Sequence, residues 1–132
     1  MQLADTNAVS ELMRPRPQPS VTAWAEAQER IALSVITIEE LRFGLTLRPS
    51  AQLERWLARF VAARVEVLPI DQRIVERAGD LRARLRLAGH TRTQADMLIA
   101  ATAAHHGLTL VTRNTRDFAG CGLRLLDPWT AK

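Results

Sequence analysis

The sequence predicts an α/β fold, one domain with a central parallel sheet of about five strands and helices on both faces. Three observations carry this. Short apolar runs of strand length alternate with segments of helical spacing along the whole chain. One run, Ile31-Ala32-Leu33-Ser34-Val35, is almost continuously apolar, the pattern of a strand covered on both faces. The length, 132 residues, suits one domain, 1–132, with one respectable core.

The first strand is the apolar run Met1-Gln2-Leu3-Ala4, stopped by Asp5. As the central strand of a parallel sheet it opens at its carboxyl end into the crevice where open α/β folds bind ligands. Ala8 to Arg14 has helical spacing, with Asn7 as its cap and Val9, Leu12 and Met13 on the inner side; Pro15, Pro17 and Pro19 end it. Ser20 caps a second short helix, Val21 to about Gln28. The second strand begins at Ile31 and ends at Thr37, Ile38 to Leu47 follows as helix, and Pro49-Ser50 resets the chain for a helix over 51–63. Val65 to Leu68 is the third strand. Asp71 caps the longest helix, whose Ile74, Ala78, Leu81 and Leu85 form an apolar stripe opposite Arg73, Arg77 and Arg84, until Gly89 stops it. Gln94 to His105 is helical and apolar through Met97-Leu98-Ile99-Ala100-Ala101, which places it deep against the sheet. Gly107 ends that helix, and Leu108 to Thr112 and Leu123 to Leu126 are the fourth and fifth strands. No internal repeat or low-complexity segment interrupts the pattern.

Hydrophobic residues make up 47 % and charged residues 24 %, the balance of an ordinary globular chain rather than a disordered or membrane one. No apolar run reaches the length of a membrane span, and no basic segment precedes an apolar leader, so the expected location is the cytoplasm and no membrane partner is expected. The single Cys121 offers neither an internal disulfide nor zinc-type spacing. Net charge is +4, and every basic residue except Lys132 is arginine. That balance suits a polyanionic partner, and equally suits arginines spread over solvated helix faces, because they form no single block.

Four acids recur at one place in the predicted topology, the carboxyl edge of the sheet. Asp5 ends the first strand. Glu40 follows the second in Thr37-Ile38-Glu39-Glu40, which reads as a capping box with Thr37 at the N-cap. Asp96 repeats that pattern in Thr93-Gln94-Ala95-Asp96, and Asp117 follows the fourth strand, where with Asn114 it suits a turn. Each acid thus has a local structural role that competes with a catalytic one. Taken together, four carboxylates at one edge repel one another unless a cation is present, and an oxygen-only set without His or Cys suits Mg²⁺, with Mn²⁺ as a substitute. Acidic clusters of this kind perform in-line phosphoryl chemistry, and helix N-termini at the same edge favour a phosphate.

Other chemistries lack their residues. The chain has no P-loop and no dinucleotide glycine fingerprint, and neither Ser10 nor Ser34 has a positioned base. His105 and His106 close a helix, where positive imidazoles suit the dipole. Trp24 and Trp56 fall at helical spacing with other apolar residues and read as packing.

Asp5-Thr6-Asn7, Thr37-Ile38-Glu39-Glu40-Leu41-Arg42-Phe43-Gly44, Asp96-Met97-Leu98-Ile99-Ala100-Ala101 and Thr112-Arg113-Asn114-Thr115-Arg116-Asp117-Phe118 resemble the successive motifs of PIN-domain ribonucleases. More narrowly they resemble the VapC toxins of bacterial toxin–antitoxin pairs, including the subgroup typified by FitB. The resemblance runs end to end. It implies Mg²⁺-dependent endonucleolytic cleavage of RNA, with Asp5, Glu40, Asp96 and Asp117 as the acidic quartet and metal ligands. Asp117 is the position such proteins vary most. Asn7, Thr112 and Asn114 would be polar supports, and Arg42, Arg113 and Arg116 candidates for holding substrate phosphates. The family also implies a homodimer, for which the Trp56 and Phe60 region is the candidate surface. It further implies a cognate antitoxin whose arm enters the acidic groove, in a larger toxin–antitoxin assembly. The competing function is a non-catalytic PIN-like module that grips RNA or a protein; retention of all four acids argues against it. A small-molecule phosphatase would need a closed pocket.

Overall fold

The computed structural model describes residues 1–130. Its five strands are β1 (Gln2–Ala4), β2 (Ile31–Ser34), β3 (Val65–Leu68), β4 (Leu110–Val111) and β5 (Leu125–Leu126). They form one parallel sheet in the order β3-β2-β1-β4-β5. The six helices are α1 (Thr6–Leu12), α2 (Pro19–Glu26), α3 (Val35–Leu47), α4 (Ala51–Arg64), α5 (Gln72–Leu87) and α6 (Gln94–His106). A 3₁₀ turn covers Thr115–Phe118.

The two faces of the sheet follow from side-chain alternation. Leu3, Ala32 and Leu110 pack on α5 and α6 with Ile74, Ala78, Leu81, Met97 and Ala100. Their strand neighbours Ala4, Ile31, Leu33 and Val111 point the other way, onto α1 to α4, with Val9, Trp24, Leu41, Leu45 and Leu57. α6 is buried at Met97, Ile99 and each residue from Ala100 to Ala103, which is why its middle carries no polar face. The chain lays β2 and β3 on one side of β1 and then returns to lay β4 and β5 on the other. The point where the order reverses lies between β1 and β4, and their carboxyl ends, Asp5 and Thr112, meet there.

Several boundaries differ from the sequence expectation, each for a local reason. α1 starts at Thr6 because Asp5, rather than Asn7, is its N-cap and accepts the Thr6 N–H at 2.8 Å. α2 begins with Pro19 at its first turn; Ser20 does not cap it, and its hydroxyl donates to the Trp129 carbonyl at 3.3 Å. β2 ends at Ser34, which pairs with Leu68, and α3 starts at Val35, not Ile38. Ser34 is the α3 cap, accepting the Ile36 N–H at 3.1 Å, so the proposed capping box of Thr37 with Glu40 does not form. Thr37 is instead buried inside the first turn. β4 and β5 are shorter than expected. Leu108 donates its N–H to Ala103 O, closing the end of α6 around Gly107, whose φ of 64° is the left-handed conformation glycine accepts without strain. The predicted caps Asp71 and Thr93 form, and Ser50 caps α4 by accepting the Leu53 N–H. No described helix is long and apolar enough to cross a membrane.

Candidate active site

Asp5 is set by the end of the central strand and the start of α1. The residue is only 6 % exposed, and both of its carboxylate oxygens accept hydrogen bonds. One oxygen accepts the Thr6 N–H. The other accepts the Thr112 hydroxyl at 2.9 Å and the Asn7 amide at 3.2 Å. Burial outweighs these hydrogen bonds and, with the charges of Asp96 and Glu40, raises the Asp5 pKa from 3.8 to about 6.

Glu40 arrives from the second turn of α3, half-buried. Its Oε1 accepts the Thr6 hydroxyl at 2.6 Å, and the same hydroxyl lies 3.1 Å from that of Thr37. Asp96 stands in the first turn of α6, where its N–H is held by the Thr93 hydroxyl at 3.1 Å. Burial raises its pKa, and the charges of Asp117 and Glu40 add to that, against hydrogen bonding from Thr93 and the Arg92 charge. Asp5, Glu40 and Asp96 line one cavity of about 510 Å³. Asn7 and Asn114 line it too, and Thr112 lies beneath it, bonded both to Asp5 and, through its hydroxyl oxygen, to the Asn114 N–H at 3.0 Å.

The remaining predicted residues are placed differently. Asp117 is exposed on the 3₁₀ turn and does not line the cavity; its N–H bonds to the Asn114 carbonyl, and its charge is felt at Asp96. Arg113 lines the cavity and Arg116 does not. Arg42 lies on the exposed side of α3 and pairs with Glu54 of α4, away from the cavity. His105 and His106 end α6 as exposed residues, Trp24 is buried and donates to Gln2, and Trp56 stacks on Phe60 at 4.9 Å, all in keeping with structural roles.

Sequence reasoning gave no site role to Thr6, Ser10, Glu11, Arg14 or Trp129, which complete the lining. A signal existed for three of them: Asn7, Ser10, Glu11 and Arg14 fall at i, i+3, i+4 and i+7 of α1, a polar stripe on one face. Glu11 is buried and accepts the Gln18 N–H at 2.8 Å and the Arg14 guanidinium at 3.2 Å, which together hold its pKa below the usual carboxylate range.

Among the described residues, no group of three His, Cys, Asp or Glu side chains is arranged to hold a metal ion jointly. The donor chemistry nevertheless suits Mg²⁺, which binds through one or two carboxylates and keeps several waters rather than using an all-protein cage. Carboxylates whose protons are held by burial and mutual repulsion are also those a cation would relieve.

The model of the PIN domain family matches residues 3–120. Among curated proteins, the chain is 39 % identical to a VapC ribonuclease, Y4jK, of Sinorhizobium fredii, over 98 % of both chains. Among solved structures it superposes on FitAcB from Neisseria gonorrhoeae with a TM-score of 0.85 and 33 % identity, covering 99 % of this chain and 100 % of that one. It also superposes on a toxin–antitoxin complex from Klebsiella pneumoniae with a TM-score of 0.79 and 30 % identity, again over 99 % and 100 % of the two chains. The five-stranded parallel sheet, its site at the reversal of strand order and the family match agree: this chain belongs to the PIN-domain family.

Proposed function

We propose that this protein is an Mg²⁺-dependent endoribonuclease acting as the toxin of a toxin–antitoxin pair. The observation that carries the proposal is the convergence of Asp5, Glu40 and Asp96, from three separate elements, on one cavity where the strand order reverses. When bound, Mg²⁺, or Mn²⁺ in its place, supplies positive charge to the attacking and leaving oxygens of phosphodiester hydrolysis. Asp5 and Asp96 would hold it. Thr112 and Asn7 fix the Asp5 carboxylate, so that its orientation does not depend on substrate. Glu40, anchored by Thr6, faces the same space as an acceptor for the attacking water. Asp117 adds negative charge from outside the cavity rather than a donor within it.

A homodimer and a cognate antitoxin belong to the same proposal. An apolar groove of about 360 Å³, lined by Met13, Leu41, Leu45 and Leu53, shares Ser10, Arg14 and Glu40 with the acidic cavity. An antitoxin arm seated there would reach the carboxylates with one basic side chain and neutralise them. The half-buried stack of Trp56 on Phe60 is the proposed dimer contact. The decisive experiment incubates purified wild type and Asp96→Asn with bulk RNA, with Mg²⁺ and with chelator. Cleavage by wild type in Mg²⁺ alone, absent in the variant, is the expected result; equal cleavage by both, or none under any condition, overturns the nuclease assignment.

A further inference from the structure

Two cationic side chains line the acidic cavity, Arg14 and Arg113. Arg14 already has a partner, Glu11. Arg113 has no carboxylate partner among the described residues. Its guanidinium carbon instead lies 5.4 Å from the centroid of the Trp129 ring, within the range at which an aromatic face attracts a cation. Trp129 is fixed on both sides of its peptide chain: its N–H donates to Asp127 Oδ1 at 2.9 Å and its carbonyl accepts the Ser20 hydroxyl at 3.3 Å. Pro128 beside it is buried. The backbone of Arg113 is tied to the acids, because its N–H donates to Asn7 Oδ1 at 3.4 Å and the Asn7 amide donates to Asp5.

A carboxylate partner would occupy the N–H fork of an arginine. An aromatic partner attracts the cation without accepting those N–H donors, leaving them free for the paired oxygens of a phosphate. The surrounding carboxylates repel a polyanion, so a fixed cation at the rim, without an acidic partner, determines where the backbone is caught.

We propose that Arg113 is the phosphate clamp for RNA at the mouth of the acidic cavity, and that Trp129 is the positioning residue that holds it there. The proposal rests on the nuclease assignment above, and its test separates the two. Binding of a fluorescein-labelled oligouridylate is followed by anisotropy at low salt with Mg²⁺, in an Asp96→Asn background. The variants are Arg113→Ala, Trp129→Leu, the two combined, and Trp129→Phe, with thermal melts as folding controls. Arg113→Ala is expected to weaken binding about tenfold and to flatten the salt dependence by about 0.7 in log–log slope, one phosphate contact of a single strand. Trp129→Leu is expected to weaken binding in the presence of Arg113 and to add almost nothing in its absence, and Trp129→Phe to restore most of the affinity. In the otherwise wild-type chain the same substitutions should raise KM for RNA and leave kcat nearly unchanged. Additive losses, unchanged affinity, or no measurable binding by the parent would each overturn the clamp. Normal cleavage with unchanged KM in Arg113→Ala would remove the clamp and leave the nuclease standing. Arg113-dependent binding without cleavage by the wild-type chain would do the reverse.

Discussion

Replacing Asp5 with asparagine separates the cost of burying its charge from its value as a helix cap. An aspartate moved from 3.8 to about 6 by burial corresponds to about 3 kcal/mol of differential stability. The sign follows from proton binding: the folded chain holds the Asp5 proton more tightly than the unfolded chain. The contribution is therefore fully present below about pH 3.8, falls as pH rises, and is lost above about pH 6. Asparagine keeps the shape, caps a helix as well as aspartate does, and still accepts the Thr6 N–H. What it loses is the one oxygen that accepts both the Thr112 hydroxyl and the Asn7 amide. Thr112 can turn its hydroxyl to accept instead, which leaves the Asn7 amide without an acceptor worth about 1.5–3 kcal/mol when charged. At pH 7 without metal the two effects nearly cancel, so Asp5→Asn should be within about 1.5 kcal/mol of wild type. Their pH dependence does not cancel. Urea unfolding in chelator between about pH 3.5 and 7 should show wild type losing about 3 kcal/mol relative to the variant. Added Mg²⁺ at a hundred times its Kd should then stabilise wild type by about 2.7 kcal/mol and the variant far less. Parallel pH profiles for the two proteins would refute the assignment of a buried, proton-holding carboxylate at Asp5.

Three other substitutions probe the surroundings. Thr112→Val removes the hydroxyl that donates to Asp5 and accepts from Asn114, and should cost about 1.5–3 kcal/mol at pH 7 and less at pH 4; a cost below about 0.5 kcal/mol at pH 7 would mean that Asp5 is satisfied by water instead. Ser34→Ala should lower stability by about 0.5–2 kcal/mol in thermal melts through loss of the α3 cap, and an unchanged melt would return that cap to Thr37. Arg42→Ala breaks an exposed ion pair with Glu54 and should change stability by less than about 1 kcal/mol while leaving RNA cleavage intact; a large loss of cleavage would put Arg42 back in the site.

The alternation of strands and helices was legible because each element carries its own signal: the apolar stripe of α5, the apolar centre of α6 and the acid that ends β1. The start of α3 was not. Ser34 and Thr37 both have a cap-competent hydroxyl, and Val35 and Ile36 between them are β-branched, so local propensity extends the strand. Pairing of Ser34 with Leu68 at the end of β3 decides otherwise, and that contact spans a separation no local pattern encodes. For the site, the residue types and their sheet edge were legible from Asp5, Glu40 and Asp96. The rim was not, because the position of Trp129 depends on contacts with Ser20 and Arg113 that are distant in sequence. Arg42 shows the opposite case. It sits two residues after Glu40, so sequence proximity suggested the site, yet helical geometry turns it toward α4.

Capping and ligation, which compete as explanations of an acid at the start of a helix, do not exclude each other, because a carboxylate has two oxygens. Asp5 Oδ1 satisfies the first N–H of α1, while Oδ2 is aimed by Thr112 and Asn7 at the point where the strand order reverses. The cap thus fixes the orientation that the site requires. Glu40 reaches the same place without capping anything, since α3 begins five positions before it and, among the described residues, its carboxylate is held only by the Thr6 hydroxyl. Thr6 is therefore the residue that ties the two acids together, its N–H on Asp5 and its hydroxyl on Glu40. One hydrogen bond from Thr6 to each carboxylate opposes their drifting apart to relieve repulsion. That constraint keeps the negative charge of the cavity concentrated, and a divalent cation is the partner that would relieve it.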